Sequence, residues 1–238
     1  IPDKAYAVVP SPPQPENIAD LGDVMVAATK QAQDLLVLEV TTDNQVVFRL
    51  PRAEVGQGIT TALGMVVADE IDARLDDVDV PLEQARQDLG TAQSTGGSSS
   101  VRSLWDPVRE IAAEARARLV TAAAERWNLP AKSLTTRDTA VWAPDGRSAT
   151  YGSLTEAAAQ VRIAAVSAEP KSPSEYRLIG KSTTRIDAKS IVTGAAKYAL
   201  DLDISGALPT VVIRPPTIKG KVKSYDASAA LKMPGVVA

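Results

Sequence analysis

Two short loops carry the residues of this chain whose types and spacing suit ligand chemistry: Val55-Gly56-Gln57-Gly58 and Thr95-Gly96-Gly97-Ser98-Ser99-Ser100-Val101. Each offers closely spaced backbone N–H groups, and glycine lets a ligand approach the main chain directly. Gln57 adds an amide that both donates and accepts, while Thr95, Ser98 and Ser100 add hydroxyls. No side chain here does redox or nucleophilic chemistry unaided, so the loops read as holders of a polar, anionic ligand.

Each loop also has a plainer reading. Gly-Gln-Gly suits a tight turn between strand and helix, and the Gly/Ser run suits a flexible linker. Position argues for a ligand. Leu63, Val66, Val67 and Ile71 recur at helical spacing and predict a helix over Thr60 to Arg74, so the first loop lies at a helix N-terminus, where free N–H groups and the helix dipole favour an anion. The second loop lies just before the longest predicted helix. It is neither a Walker loop nor a dinucleotide fingerprint, because no Gly-Lys-Ser/Thr and no Gly-x-Gly-x-x-Gly occurs in it.

Composition excludes much. The 238 residues contain no Cys and no His, which removes disulfides, iron–sulfur ligation, thiolate catalysis, Ser-His-Asp triads and nearly all zinc sites. With 26 Lys and Arg against 29 Asp and Glu, a net charge of -3 gives no electrostatic reason to expect nucleic acid. The local basic run Lys219-Gly220-Lys221-Val222-Lys223 reads as a solvated face. A 45% hydrophobic content suffices for a core, and at 4% aromatics that core must be built from Ala, Val, Leu and Ile, with Trp105, Trp127 and Trp142 as large anchors. No apolar run reaches the length of a membrane span.

The elements that must position the loops follow from pattern. Residues 1–34 form a linker and N-terminal extension: residues 1–16, with the proline run Pro10 to Pro15, read as linker, and a short helix follows over Ile18 to Lys30. Leu35 to Val40 and Gln45 to Leu50 form a hairpin around Thr41-Thr42-Asp43-Asn44 and deliver the chain to the first glycine loop. Val78 to Leu82 reads as a strand and Glu83 to Ser94 as loop. Asp106-Pro107 reads as N-cap and first position of the long helix running to Trp127, with Arg102 and Ser103 open to an earlier turn. Val141 to Pro144 and Ala149 to Tyr151 form a second hairpin. Ser153-Leu154-Thr155-Glu156 is a capping box that opens a helix through Val161.

The pattern predicts a first domain over 35–166, a linker over 167–175 and a second domain over 176–238. Strands are expected in that second domain at Ile191 to Thr193, Ala196 to Leu200 and Thr210 to Arg214. The final Val236-Val237-Ala238 reads as a strand beginning, which predicts further sequence, cleaved or on another chain. Ile1 suggests a processed start.

Three runs, Pro51 to Thr61, Val67 to Asp72 and Ser94 to Val101, match in order and spacing a known family: the chain resembles the large, molybdopterin-binding subunit of xanthine dehydrogenases and aldehyde oxidases, especially isoquinoline 1-oxidoreductase β subunits. Arg177-Leu178-Ile179-Gly180-Lys181, Arg185-Ile186-Asp187, Val192 to Tyr198 and Asp201 resemble the α/β hammerhead segment of those subunits.

The resemblance implies an α+β fold, with a split molybdopterin-binding α/β domain followed by an incomplete α/β hammerhead domain. It implies a molybdenum-pterin cofactor, in bacteria often the cytosine dinucleotide, whose metal takes no ligand from the protein. It further implies hydroxylation of an aldehyde or N-heterocycle at carbon, with water as oxygen source. The implied partners are the remaining part of the large subunit, a small subunit carrying two 2Fe-2S clusters, and a cytochrome as electron acceptor.

Carried over by motif, Gly56, Gln57 and Gly58 meet the cofactor near its oxo and dithiolene side, and Thr95, Gly96, Gly97, Ser98 and Ser100 hold the pterin and its phosphate tail. The family's general base is a glutamate in a C-terminal motif that nothing here matches. Glu54 and Glu70 are expected as solvated or helix-terminal carboxylates. Such proteins commonly follow a twin-arginine export signal, which implies the periplasm or cell envelope, although no Arg-Arg pair occurs here; otherwise the chain is cytoplasmic. Two other readings stay open: a non-catalytic structural or assembly protein on the same scaffold, and an unrelated anion-binding module.

Overall fold

Alternation builds the first sheet. In β2 (Val46–Arg49) and the residue beyond it, Val46, Phe48 and Leu50 are fully buried at every second position, so one strand face makes the centre of the core. The computed structural model describes residues 21–162, 168–214, 216–217 and 220–237. The predicted proline-rich linker, the first residues of the Ile18 helix and Ala238 lie outside them; the helix itself runs as α1, Leu21–Gln31.

β1 (Val37–Val40) pairs antiparallel with β2 through a turn in which Asn44 takes φ 71°, a left-handed conformation that asparagine tolerates. The chain leaves β2 through the first glycine loop, forms α2 (Ile59–Ile71) and returns as β3 (Val78–Asp79), parallel to β2 and continued by a Leu50–Leu82 bridge. This βαβ connection places the glycine loop at the carboxyl end of its strand, where open α/β sheets bind ligands. α2 is buried on nearly every face, Asp69 and Glu70 included. It ends where Asp72 takes φ 60°, with Ala73 N–H bonded to Ala68 O at 3.0 Å, an aspartate in the place usually left to glycine.

α3 spans Ser100–Trp127 and packs against α2. It starts more than a turn before the predicted Asp106 cap, and Pro107 sits inside it. An internal proline costs about 3 kcal/mol through its missing N–H and its clash with the preceding turn. Burial outweighs that cost: Leu104, Val108 and Ala112 form one stripe across the proline, each 0% exposed.

A second sheet is an antiparallel meander of β4 (Thr135–Arg137), β5 (Ala140–Trp142) and β6 (Ser148–Thr150). β4 escaped prediction because Thr135–Arg137 is short and half exposed. α4 (Tyr151–Gln160) begins earlier than the predicted Ser153 box, because Thr150 at the end of β6 is itself a capping residue and accepts from Ser153 N–H. Its first turn lies against the β1–β2 turn so closely that a Cβ on Gly152 would stand 2.5 Å from Thr42 O.

The strands predicted between residues 176 and 238 are not formed among the described residues. Ile191 and Val192 close the short helix α5 (Ala188–Val192), Ala199–Asp201 makes a 3-10 turn, and Thr210–Arg214 has no regular structure. The physical reason is the lack of a neighbour: Leu200, Val211 and Ile213 are almost fully exposed, and β-rich residues form a strand only with a partner and a face to bury. The chain divides after Ala196 into one compact unit and a second unit, Lys197–Ala238.

Candidate functional site

The first glycine loop is closed by its own side chains. Glu54 Oε1 accepts the N–H groups of Gly56 (2.8 Å) and Gly58 (3.0 Å), and Oε2 accepts the N–H and hydroxyl of Thr60, both at 3.3 Å. The expectation that these N–H groups face a ligand is therefore corrected, while Glu54, expected as a solvated or helix-terminal carboxylate, is helix-terminal, at the start of α2. A carboxylate from the chain already fills the anion site at the start of α2. Burial pushes the Glu54 pKa up; the bonds from Gly58, Thr60 and Gly56 prevail and hold it below its ordinary 4.5. Gln57 also braces the loop, its amide N–H donating to Ala53 O (2.9 Å) and its Oε1 accepting from Val55 N–H (2.6 Å).

The second loop is open. Gly97 (φ 57°) and Ser98 (φ 49°) take positive φ, and Ser99 follows in right-handed conformation, an alternation that turns successive N–H groups into a concave anion cradle. The buried Ser99 hydroxyl would be the natural cap of α3, yet it bonds Gly96 O (2.9 Å) and Met25 Sδ (3.0 Å) instead. Ser99 makes no side-chain cap to α3, so among the described residues the N–H groups of Ser100 and Val101 at its start have no hydrogen-bond partner in the helix.

The two loops lie side by side, tied by Ala53 N–H donating to Thr95 Oγ1 at 2.8 Å. Between them is a pocket of about 280 Å³ lined by Gln57, Thr95, Gly96, Ser98 and Ser100, with Val55, Ile59 and Val101 as its apolar wall. Five of the eight predicted site residues therefore meet in one cavity; Gly56, Gly58 and Gly97 shape the backbone around it. Val55 and Val101 remain 72% and 43% exposed.

Beneath both loops lies Arg52, only 3% exposed. It donates to Pro51 O, Thr29 Oγ1 and Ser103 Oγ at 2.7–2.9 Å, all neutral oxygens, and burial lowers its pKa to about 10. Arg52 does not line the pocket, which itself collects hydroxyls and backbone N–H groups, a set that fits a ligand with anionic groups.

Sequence reasoning missed a second layer of residues. Arg185 donates to Gly56 O (2.8 Å) and lies 3.5 Å from Glu54 Oε1, while Ile186 N–H donates to Thr61 Oγ1 (3.0 Å). At the other end of α2, Asp69 accepts the backbone N–H groups of Arg177, Leu178 and Ile179 at 2.8–3.1 Å. Glu70, fully buried rather than solvated, accepts from Arg109 Nε (2.6 Å) and Lys171 N–H (2.9 Å). Lys171, inside the predicted linker, is itself buried and bridges Asp69 O and Asp72 Oδ1, each at 2.6 Å. The signals available were the runs Val67 to Asp72, Arg177 to Lys181 and Arg185 to Asp187, with the acids Asp69, Glu70 and Asp72 at the end of an otherwise apolar helix; what sequence did not show is that they meet.

The model of the family described as the molybdopterin cofactor-binding domain matches residues 20–205. The chain belongs to that family. The isoquinoline 1-oxidoreductase β subunit of Brevundimonas diminuta is 32% identical over 239 residues, covering 84% of this chain and 30% of its own length. A nicotinate dehydrogenase subunit of Pseudomonas putida is 30% identical over 217 residues, covering 88% of this chain and 18% of its own length. The membrane-bound aldehyde dehydrogenase (pyrroloquinoline-quinone) of Gluconacetobacter polyoxogenes is 30% identical over 206 residues, covering 83% of this chain and 26% of its own length. The chain thus spans under a third of the length of these relatives. Within the family's shared segment lie both glycine loops, the α2 acids and the Arg177–Asp187 stretch. Among the described residues no helix is long and apolar enough to cross a membrane.

Proposed function

We propose that this chain supplies part of the cofactor site in the large subunit of a molybdenum hydroxylase, which oxidises an N-heterocycle or an aldehyde at carbon, takes oxygen from water and passes electrons to a subunit with two 2Fe-2S clusters. The observation that supports this best is the pocket between the glycine loops, where Gln57, Thr95, Gly96, Ser98 and Ser100 converge beside the uncapped start of α3. When bound, the molybdenum-pterin group, in its dinucleotide form or otherwise, supplies the two-electron chemistry.

The chain's own residues bind and orient. The N–H groups of Gly97, Ser98, Ser100 and Val101, with Ser99 N–H held by Gly96 O, and the hydroxyls of Thr95, Ser98 and Ser100 take anionic and acceptor atoms of the cofactor. Gln57, held by Ala53 O and Val55 N–H, keeps one N–H and one lone pair for the ligand. The exposed Val55 and Val101 are surfaces for a covering segment that excludes water. Glu54 and Glu70 are fully engaged with protein donors and do not line the pocket, so neither is assigned as general base.

Residues 176–238 are read as the first part of a hammerhead domain, after a molybdopterin-binding segment over 35–166 and a connection over 167–175. Its strands form when neighbouring strands are supplied. Export to the periplasm or cell envelope belongs to the same reading.

The test is molybdenum and pterin content of the purified complex, measured beside the Gly97→Val variant. Stoichiometric molybdenum that falls in the variant supports the reading. A fully assembled complex devoid of molybdenum and pterin would establish the non-catalytic scaffold instead, and phosphate alone at Gly96 and Gly97 would establish a simple anion module.

A further inference from the structure

The first glycine loop is poorly anchored by burial. Ala53, Val55, Gly56 and Gln57 are all exposed, so burial does little to hold the backbone that presents Gln57 to the pocket, and its conformation rests mainly on polar ties. Glu54 and Gln57 supply ties from within the loop. Thr95 adds one tie through Ala53 N–H, and Arg185 supplies ties from still farther along the sequence.

Arg185 reaches the loop with its whole fork. Nη1 donates to Gly56 O at 2.8 Å and Nη2 lies 3.5 Å from Glu54 Oε1. A Cβ on Gly58 would stand 3.8 Å from the Arg185 Cζ, so the guanidinium also covers that glycine. Its orientation is set by Asp187, which accepts Nε at 2.8 Å and Nη2 at 2.7 Å. The backbone that carries Arg185 is itself fixed, by Ile186 N–H on Thr61 Oγ1 and, further back, by the Asp69 carboxylate on residues 177–179.

We infer that Arg185, oriented by Asp187, is a positioning residue that holds the Glu54–Gly58 loop in the shape that presents Gln57 to the cofactor pocket. Arg185 does not line the pocket, so it acts through the loop. The inference rests on the proposed cofactor role, which it deepens. A carboxylate pair, a carbonyl and a carboxylate taken at once require a planar fork, and a lysine ammonium cannot take all three.

The experiment uses the full subunit in its purified complex, with Arg185→Gln, Arg185→Lys and Asp187→Asn. Hydrogen exchange is measured on peptides covering residues 53–59 and on peptides of α3, and retained molybdenum is measured after dilution and incubation. Arg185→Gln should speed exchange in 53–59 about tenfold, the equivalent of about 1.4 kcal/mol, leave α3 unchanged, and raise molybdenum loss several-fold. Arg185→Lys and Asp187→Asn should fall between wild type and Arg185→Gln in both readouts.

Wild-type exchange and retention in Arg185→Gln would overturn the inference. So would faster exchange spread evenly through α2 and α3, because that marks general destabilisation. A wild-type complex that carries no molybdenum would sink the proposed function, while the exchange comparison would still decide what Arg185 does to the loop.

Discussion

The two glycine loops have similar composition and similar placement before a helix, yet they are in opposite states. The first is closed: Glu54 occupies the N-terminus of α2, and Gln57 and Arg185 brace the rest. The second is open: Ser99 turns away from α3 and, among the described residues, leaves the N–H groups of Ser100 and Val101 uncapped. A glycine loop at a helix start binds an external anion only if the chain has not already sent a carboxylate there. Within this site the division of labour is a rigid wall facing a receptive one.

Breaking the receptive wall should have the largest effect. Gly97→Val puts a β-branched residue at φ 57°, a conformation costing about 1–3 kcal/mol for non-glycine residues. Molybdenum content of the purified complex is expected to fall about tenfold or more, and normal content would show that the cradle is not used.

Opening the rigid wall comes next. Glu54→Ala removes a charged acceptor from three N–H groups and should cost about 1.5–3 kcal/mol, read as faster exchange at Gly56, Gly58 and Thr60. If the carboxylate truly fills an anion site, inorganic phosphate should slow that exchange again in the variant but not in wild type.

Acid should separate the loops without mutation. The folded pKa of Glu54 lies below its ordinary 4.5, so its contribution is present above that value and is lost as pH falls through the folded pKa. Exchange protection of residues 56–60 should therefore fade on acidification below about 4.5 before that of Ser99 and Ser103, whose N–H groups are held by the backbone carbonyls of Gly96 and Ser99 and by no carboxylate. Equal acid sensitivity in both loops would erase the distinction.

Smaller effects sharpen the contrast. Gln57→Ala removes two neutral hydrogen bonds, each about 0.5–1.5 kcal/mol net, and should lower cofactor retention by a few-fold. Ser100→Ala removes one hydroxyl from the open wall and should change retention least, by about twofold, within the range of a single neutral hydrogen bond.

Much of the central fold was legible because periodicity reports burial directly. The β-rich run Gln45 to Leu50 and the Leu63, Val66, Val67, Ile71 stripe needed no tertiary knowledge. Pro107 misled because a local rule about helix starts met a buried stripe strong enough to override it. The strands expected at Ile191, Ala196 and Thr210 misled for the converse reason: a residue's preference for a strand has no effect without a neighbouring strand.

For the candidate site, sequence alone picked out two loops whose glycine, amide and hydroxyl types suit a polar ligand and restrict what those loops can do. It also placed Asp69, Glu70 and the Arg177–Asp187 stretch in recognisable runs. Only tertiary structure decided that those runs are one device, with Asp69 gripping residues 177–179 and Arg185 gripping Gly56 across more than a hundred residues of chain. Only tertiary structure decided which glycine loop is closed. The reason is that hydrogen-bond partners are chosen by distance in space: a carboxylate's preference for N–H groups is written in its residue type, but which N–H groups it reaches is set by the packing of α2, α3 and the segments laid across them.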